Sequence, residues 1–202
     1  MSDNNYVHQL HAGAPGKPIL VTLHGTGGDE NQFFDFGRRM LPDATILSPR
    51  GDVSEFGAAR FFRRTGEGVY DTVDLARATE KMAAFVTEVA DAHGASAVLG
   101  LGFSNGANIL ANVLIEKGLF DASVLMHPLI PFQPKSNPAL AGRTVLITAG
   151  ERDPISPVPV TKALAEYFAS QSAMITTEWH AGGHDIRPNE IEAVRALFEP
   201  YL

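Results

Sequence analysis

The pentapeptide Gly102-Phe103-Ser104-Asn105-Gly106 sets a serine between two glycines, after the apolar run 97–103 and before a helical pattern that opens at Asn105. A strand that turns sharply into a helix at such a serine exposes its hydroxyl. Glycine is needed on either side because a Cβ would collide with the tight backbone. The following helix aims backbone N–H groups and the positive end of its dipole at the hydroxyl. The alternative is a glycine-rich packing turn without chemistry. A serine hydroxyl is a poor nucleophile at neutral pH and needs a base that is itself oriented by an acid. Downstream of Ser104 stand His127, His180 and His184. His184, in Gly182-Gly183-His184-Asp185, follows a strand pattern ending near Trp179 and is the best-placed base; His180 abuts Trp179 and reads as part of that strand. Asp153, in Gly150-Glu151-Arg152-Asp153-Pro154, follows a strand pattern ending at Ala149 and is the best-placed acid, with Glu151 as the alternative. Both lie at carboxyl ends of strands, where open α/β sheets build their sites. His180 and His184 are four apart, but Gly182-Gly183 opposes the helix that would make them a metal pair.

A second loop fits the same chemistry. Acyl transfer passes through a tetrahedral oxyanion that preorganised N–H donors must meet. The backbone N–H of Asn105, directly after the serine, is one candidate donor. Thr26, in His24-Gly25-Thr26-Gly27-Gly28, is the other, since neighbouring glycines let the backbone approach a substrate closely. Neither loop carries the glycine-lysine or glycine spacing of a nucleotide site. Six of the eleven arginines fall between residues 38 and 64: Arg38, Arg39, Arg50, Arg60, Arg63 and Arg64. Ion pairs on a solvated face are the ordinary explanation. Arginine forks also bind carboxylate or phosphate, so Arg63 or Arg64 could instead line a pocket for an anionic substrate.

These residues need elements to hold them. Short apolar runs predict strands at 19–23, 44–47, 97–103, 123–126, 144–149 and 174–179. Between them, periodic stretches predict helices at 29–40, 71–92, 105–116 and 159–170, with a last one from Pro188. Asp29 and Gln32 stand in the spacing of a capping box for the first helix. Residues 56–70, rich in Gly, Arg and Phe, read as a loop. Strand alternating with helix predicts an α/β architecture with a mostly parallel sheet covered on both faces.

Composition narrows the classes. With 202 residues, one domain is expected over 1–202, large enough to need no disulfide or metal staple. Apolar residues are 45% and charged residues 19%, an ordinary folded mix. The net charge of −7 is a poor match to nucleic acid or an anionic membrane. Absence of cysteine excludes disulfides, zinc–thiolate sites and a cysteine nucleophile. No basic-then-apolar leader and no apolar run of about 20 residues stands in the sequence, so a cytoplasmic protein is expected. A homodimer is the base-rate expectation for assembly.

Taken together, LHGTGGDE (23–30), RFFRR (60–64), GFSNGAN (102–108), AGERDPI (149–155) and GGHD (182–185) resemble, in order, the serine carboxylesterase branch of the α/β-hydrolases. That branch includes the phospholipase/carboxylesterase and acyl-protein thioesterase group. The early loop and the arginine block look most like small bacterial hydrolases linked to hydroquinone and quinone resistance. The resemblance implies Ser104 as nucleophile, Asp153 as orienting acid, His184 as base, and Thr26 and Asn105 as oxyanion donors. It implies a carboxylic ester or thioester substrate and no cofactor or metal. Thr26 stands where eukaryotic thioesterases have a bulkier apolar residue, and Asn105 where they have glutamine; both positions donate through the backbone. The short chain leaves no room for a lid domain and implies an open site. Perhydrolysis, C–C bond hydrolysis, acyl transfer to an alcohol, and a non-catalytic binding protein are the alternatives.

Overall fold

Ile19, Val21 and Leu23 pack to one side of their strand and Leu20 to the other, and all four are buried. A strand covered on both faces loses polar alternation and reads as an unbroken apolar run. The computed structural model describes residues 5–202, and residues 1–4 of the expected leaderless N-terminus lie outside them. Along the chain, β1 (His8–His11) and β2 (Ile19–Leu23) precede α1 (Phe34–Met40) and β3 (Thr45–Pro49). Two small hairpins follow: β4 (Val53–Glu55) with β5 (Ala58–Arg60), and β6 (Arg64–Gly66) with β7 (Val69–Tyr70). The remainder alternates α2 (Thr72–Ala92), β8 (Val98–Phe103), α3 (Asn105–Lys117), β9 (Ala122–Met126), β10 (Thr144–Gly150), α4 (Val158–Ser170), β11 (Met174–His180) and α5 (Pro188–Phe198).

The main sheet has the order β1-β3-β2-β8-β9-β10-β11. All its pairs are parallel except β1 with β3. Helices α2, α3 and α4 cover one face through residues such as Met82, Ile109 and Phe168. Helices α1 and α5 cover the other through Phe34, Val194 and Phe198. This is the α/β-hydrolase architecture, a mostly parallel sheet between two helical layers. Among the described residues, no helix is long and apolar enough to cross a membrane.

Three regions depart from the sequence pattern. The first helix starts at Phe34, not Asp29. Asp29 instead accepts from Asn31 N in a tight turn (2.9 Å), and Gln32 turns its Oε1 back to Gly25 N (2.9 Å). The glycine-rich loop before it needs an acceptor, and Gln32 supplies it in place of a cap. Residues 56–70 hold three of the four hairpin strands. Phe56 and Gly57 both have positive φ (51° and 89°), the backbone of a tight two-residue hairpin turn. These strands are two or three residues long, too short to show alternation. The edge strand β1 was not predicted. Helix α2 begins as its pattern predicts, with Asp71 accepting from Val73 N and Asp74 N.

Candidate active site

Ser104 joins β8 to α3 with φ 53° and ψ −117°, a conformation that a non-glycine residue adopts only when its surroundings impose it. The glycines explain how. A Cβ on Gly102 would lie 2.5 Å from the Gly106 carbonyl oxygen, and one on Gly106 would run into the Leu23 carbonyl. Ser104 N donates to Met126 O (2.9 Å), and Asn108 N donates to Ser104 O (2.9 Å). The turn is thereby fixed to β9 and to the first turn of α3.

From this turn the Ser104 hydroxyl faces His184 Nε2 at 2.8 Å, and His184 Nδ1 lies 2.7 Å from Asp153 Oδ2. An ionised carboxylate only accepts, so the Nδ1 proton points to Asp153 and Nε2 is left to accept a hydrogen bond from the serine hydroxyl. Asp153 sits in the loop after β10, buried, where Oδ1 accepts from Ile155 N (2.8 Å) and Ser156 N (2.9 Å). Burial alone would raise its pKa. The Ser156 amide, the His127 and His184 side chains and the Ile155 amide outweigh burial and lower it. Glu151, the alternative acid, is exposed.

His127 and Glu190 extend this chain. His127 is fully buried just past β9, and its Nδ1 meets the same Asp153 Oδ2 at 2.8 Å. Its Nε2 lies 3.2 Å from Glu190 Oε2, and His180 Nε2 lies 3.2 Å from Glu190 Oε1. The sequence offered His127 only as a downstream histidine and did not single out Glu190. The position of His127 at the carboxyl end of a strand was the available signal.

His127, His180 and Glu190 form a donor set within reach of one metal ion, as do His127, Asp153 and His184. In the first set Gly182 N donates to His180 Nδ1 (2.9 Å), which puts the ring proton on Nε2, the atom a metal would need. In the second, His184 and His127 already share Asp153 Oδ2.

The other side of the serine is built from backbone. β2 pairs with β8 so that Leu23 stands opposite Gly102, which brings the loop 24–28 beside the turn at Ser104. His24 holds that loop: its Nδ1 meets Gly25 O (2.7 Å), its Nε2 accepts from Gly51 N (2.9 Å), and its ring lies 4.6 Å from that of Phe61. Burial lowers the His24 pKa, and the ring is neutral. Thr26 Oγ1 accepts from the buried Arg60 guanidinium (2.7 Å), and Phe61 N donates to Asn105 Oδ1 (2.8 Å). Asn105 opens α3, and the first N–H groups of a helix have no partner within it.

The arginine cluster divides among separate partners. Arg38 pairs with Asp35 and Arg50 with Glu30, while Glu55 takes both Arg60 (3.2 Å) and Arg64 (3.0 Å). Arg63 is exposed; its backbone N donates to Asp74 (2.7 Å), and its side chain lines a cleft of about 540 Å³ with Glu55, Phe56, Arg60 and Arg64.

The fold and this constellation define an α/β-hydrolase. The chain belongs to the dienelactone hydrolase family, whose model matches residues 58–185. MhqD, a hydrolase by name, from Bacillus subtilis (strain 168), is 37% identical over 184 residues, covering 90% of this chain and 92% of its own. Among solved structures, the protein Atu2452 of Agrobacterium tumefaciens str. C58 matches with TM-score 0.94 and 64% identity over 100% of both chains. The Bacillus cereus carboxylesterase matches with TM-score 0.88 and 33% identity over 96% of this chain and 93% of its own. The protein is thus a hydrolase of the dienelactone hydrolase and carboxylesterase type.

Proposed function

We propose that the protein hydrolyses carboxylic esters, and thioesters by the same route, through an acyl-enzyme on Ser104. The observation that carries this reading is the unbroken hydrogen-bonded series Ser104–His184–Asp153 (2.8 and 2.7 Å) on a strained turn. Ser104 Oγ attacks the carbonyl carbon as His184 Nε2 takes its proton. The backbone N–H groups of Thr26 and Asn105 receive the oxyanion, and His184 returns the proton to the departing alcohol or thiol. Water then repeats the sequence on the acyl-enzyme and releases the acid. Asp153 holds the His184 tautomer and stabilises the imidazolium. Every step uses groups of this chain and water. Arg63, exposed on a cleft it lines with Arg60, Arg64, Glu55 and Glu67, is the candidate contact for a second, anionic group on the substrate.

A panel of p-nitrophenyl esters and acyl thioesters, from acetyl to palmitoyl, tests this reading on wild type, Ser104→Ala and His184→Ala. Loss of about 10⁴–10⁶-fold in kcat is expected in both variants, with fluorophosphonate labelling lost in Ser104→Ala. Activity retained in Ser104→Ala would overturn the reading. Arg63→Ala should lower kcat/KM for carboxylated esters by a few-fold more than for neutral ones.

A further inference from the structure

We propose that His127 is a positioning residue, held as a buried imidazolium between the Asp153 and Glu190 carboxylates, which fixes Asp153 and offsets part of its charge where His184 feels it. The inference rests on the triad proposed above.

The argument begins with proton counting. Asp153 receives two backbone N–H groups and two imidazole nitrogens. Glu190, with no exposed surface, receives the Thr148 hydroxyl and Arg187 N (2.6 Å), and His180 Nε2 lies 3.2 Å away without forming a hydrogen bond. A carboxylate so surrounded by donors is ionised. Both ring nitrogens of His127 therefore face anions, at 2.8 and 3.2 Å. The Asp153 contact is a hydrogen bond and the Glu190 contact an ion-pair approach without hydrogen-bond geometry; a neutral ring would set a lone pair against one anion, which favours protons on both nitrogens.

The backbone that carries the ring is fixed. His127 takes φ 52°, its N donates to Thr148 O (2.9 Å), and its O accepts from Ser156 Oγ (3.0 Å). Burial alone would drive the ring neutral. The carboxylates of Glu190 and Asp153 outweigh burial and raise its pKa.

The groups facing His127 come from every element around it. Asp153 reaches it from the loop after β10, Glu190 from α5, His180 from β11 and His184 from the loop beyond β11. Phe103 of β8 supplies only a ring edge, 5.7 Å between centroids.

The consequence falls on the base. His127 and His184 share one carboxylate oxygen and stand 5.1 Å apart, centroid to centroid. A fixed positive charge at that distance opposes a second one on His184. Removing that charge would therefore change the field in which His184 meets the serine hydroxyl. This role appears in the acid limb of kcat/KM, which reports ionisation of the free enzyme.

Three proteins test it by charge arithmetic. Wild type carries two carboxylates and one cation. His127→Gln removes the cation, and His127→Gln with Glu190→Gln removes the cation and one carboxylate. The acid limb should rise by about one pH unit or more in the single variant and return toward wild type in the double. A rate loss with the limb unmoved would reduce His127 to a structural prop and overturn the proposal.

Nitrogen-15 spectra of the wild-type imidazoles need no variant to fold. Both His127 nitrogens should carry protons at the ordinary histidine pKa of about 6.5; a bare Nε2 there would also overturn the proposal. Ser104→Ala separates the two readings. Activity surviving that change sinks the triad, whereas activity lost with an unmoved limb sinks only the part given to His127.

Discussion

Two fully buried histidines flank Ser104, and the fold uses them in opposite ways. His24 lies among backbone groups, one C=O and one N–H, and burial keeps it neutral. His127 lies between two carboxylates that hold its pKa up against burial. Around His24 the front of the site, which would meet the oxyanion, is thus built from neutral dipoles, with the Arg60–Glu55 pair behind Thr26. The rear, behind His184, is built from alternating charge. A dipole wall is insensitive to pH and depends on position, whereas a charge relay answers to every proton gained or lost.

The largest test lies at the rear. Asp153→Asn should lower kcat by about 10³–10⁴-fold, because the amide no longer selects the productive His184 tautomer. Glu151→Gln, at an exposed position, should leave kcat within about two-fold of wild type. The reverse pattern would reassign the acid.

A smaller loss is expected at the front. Arg60→Met withdraws the guanidinium that holds Thr26 Oγ1 and leaves Glu55 with Arg64 alone. Loosening a donor should cost about 10–100-fold in kcat, less than removing one outright, which costs about 10²–10³-fold. A loss equal to that of Asp153→Asn would erase the distinction between the two sides.

The smallest effects are on stability, and they separate the histidines by sign. The pKa of His24 is lowered on folding, so the unfolded chain binds the extra proton. Its contribution is present above the ordinary pKa of about 6.5 and is lost as pH falls toward the folded value. The pKa of His127 is raised, so its contribution is full below about 6.5 and is lost as pH rises through the folded value. Asp153 and Glu190, both lowered, lose theirs in more acidic solution as pH falls below about 4. Tm measured against pH should show His24→Gln flattening the slope just below about 6.5 and His127→Gln flattening the slope above it. Variants that flatten the same limb would show that the two rings carry the same charge.

Much of this was legible in the sequence. Ile19–Leu23 and Thr144–Gly150 are apolar without alternation, which requires a strand covered on both faces. Ser104, Asp153 and His184 stand just past strand ends, so a parallel sheet must bring them to one rim. The hairpins at 53–70 were not legible, because strands of two or three residues pair through main chain and carry no periodic side-chain signal. Nor could the spacing of the arginines show that Glu55 would take both Arg60 and Arg64.

The sequence by itself determined the alternation of strand and helix, the forced turn at Ser104 and the set of residues available to serve it. Those depend on local sterics and hydrophobic period, which neighbouring residues fix. Only the tertiary structure decided which partners each histidine meets, backbone or carboxylate, and with them which ring stays neutral and which carries charge. Glu190 is 63 positions from His127 and reaches it from α5 on the far side of the sheet. A histidine's protonation follows from burial and partners within a few ångströms, and nothing along the chain specifies those until the layers close.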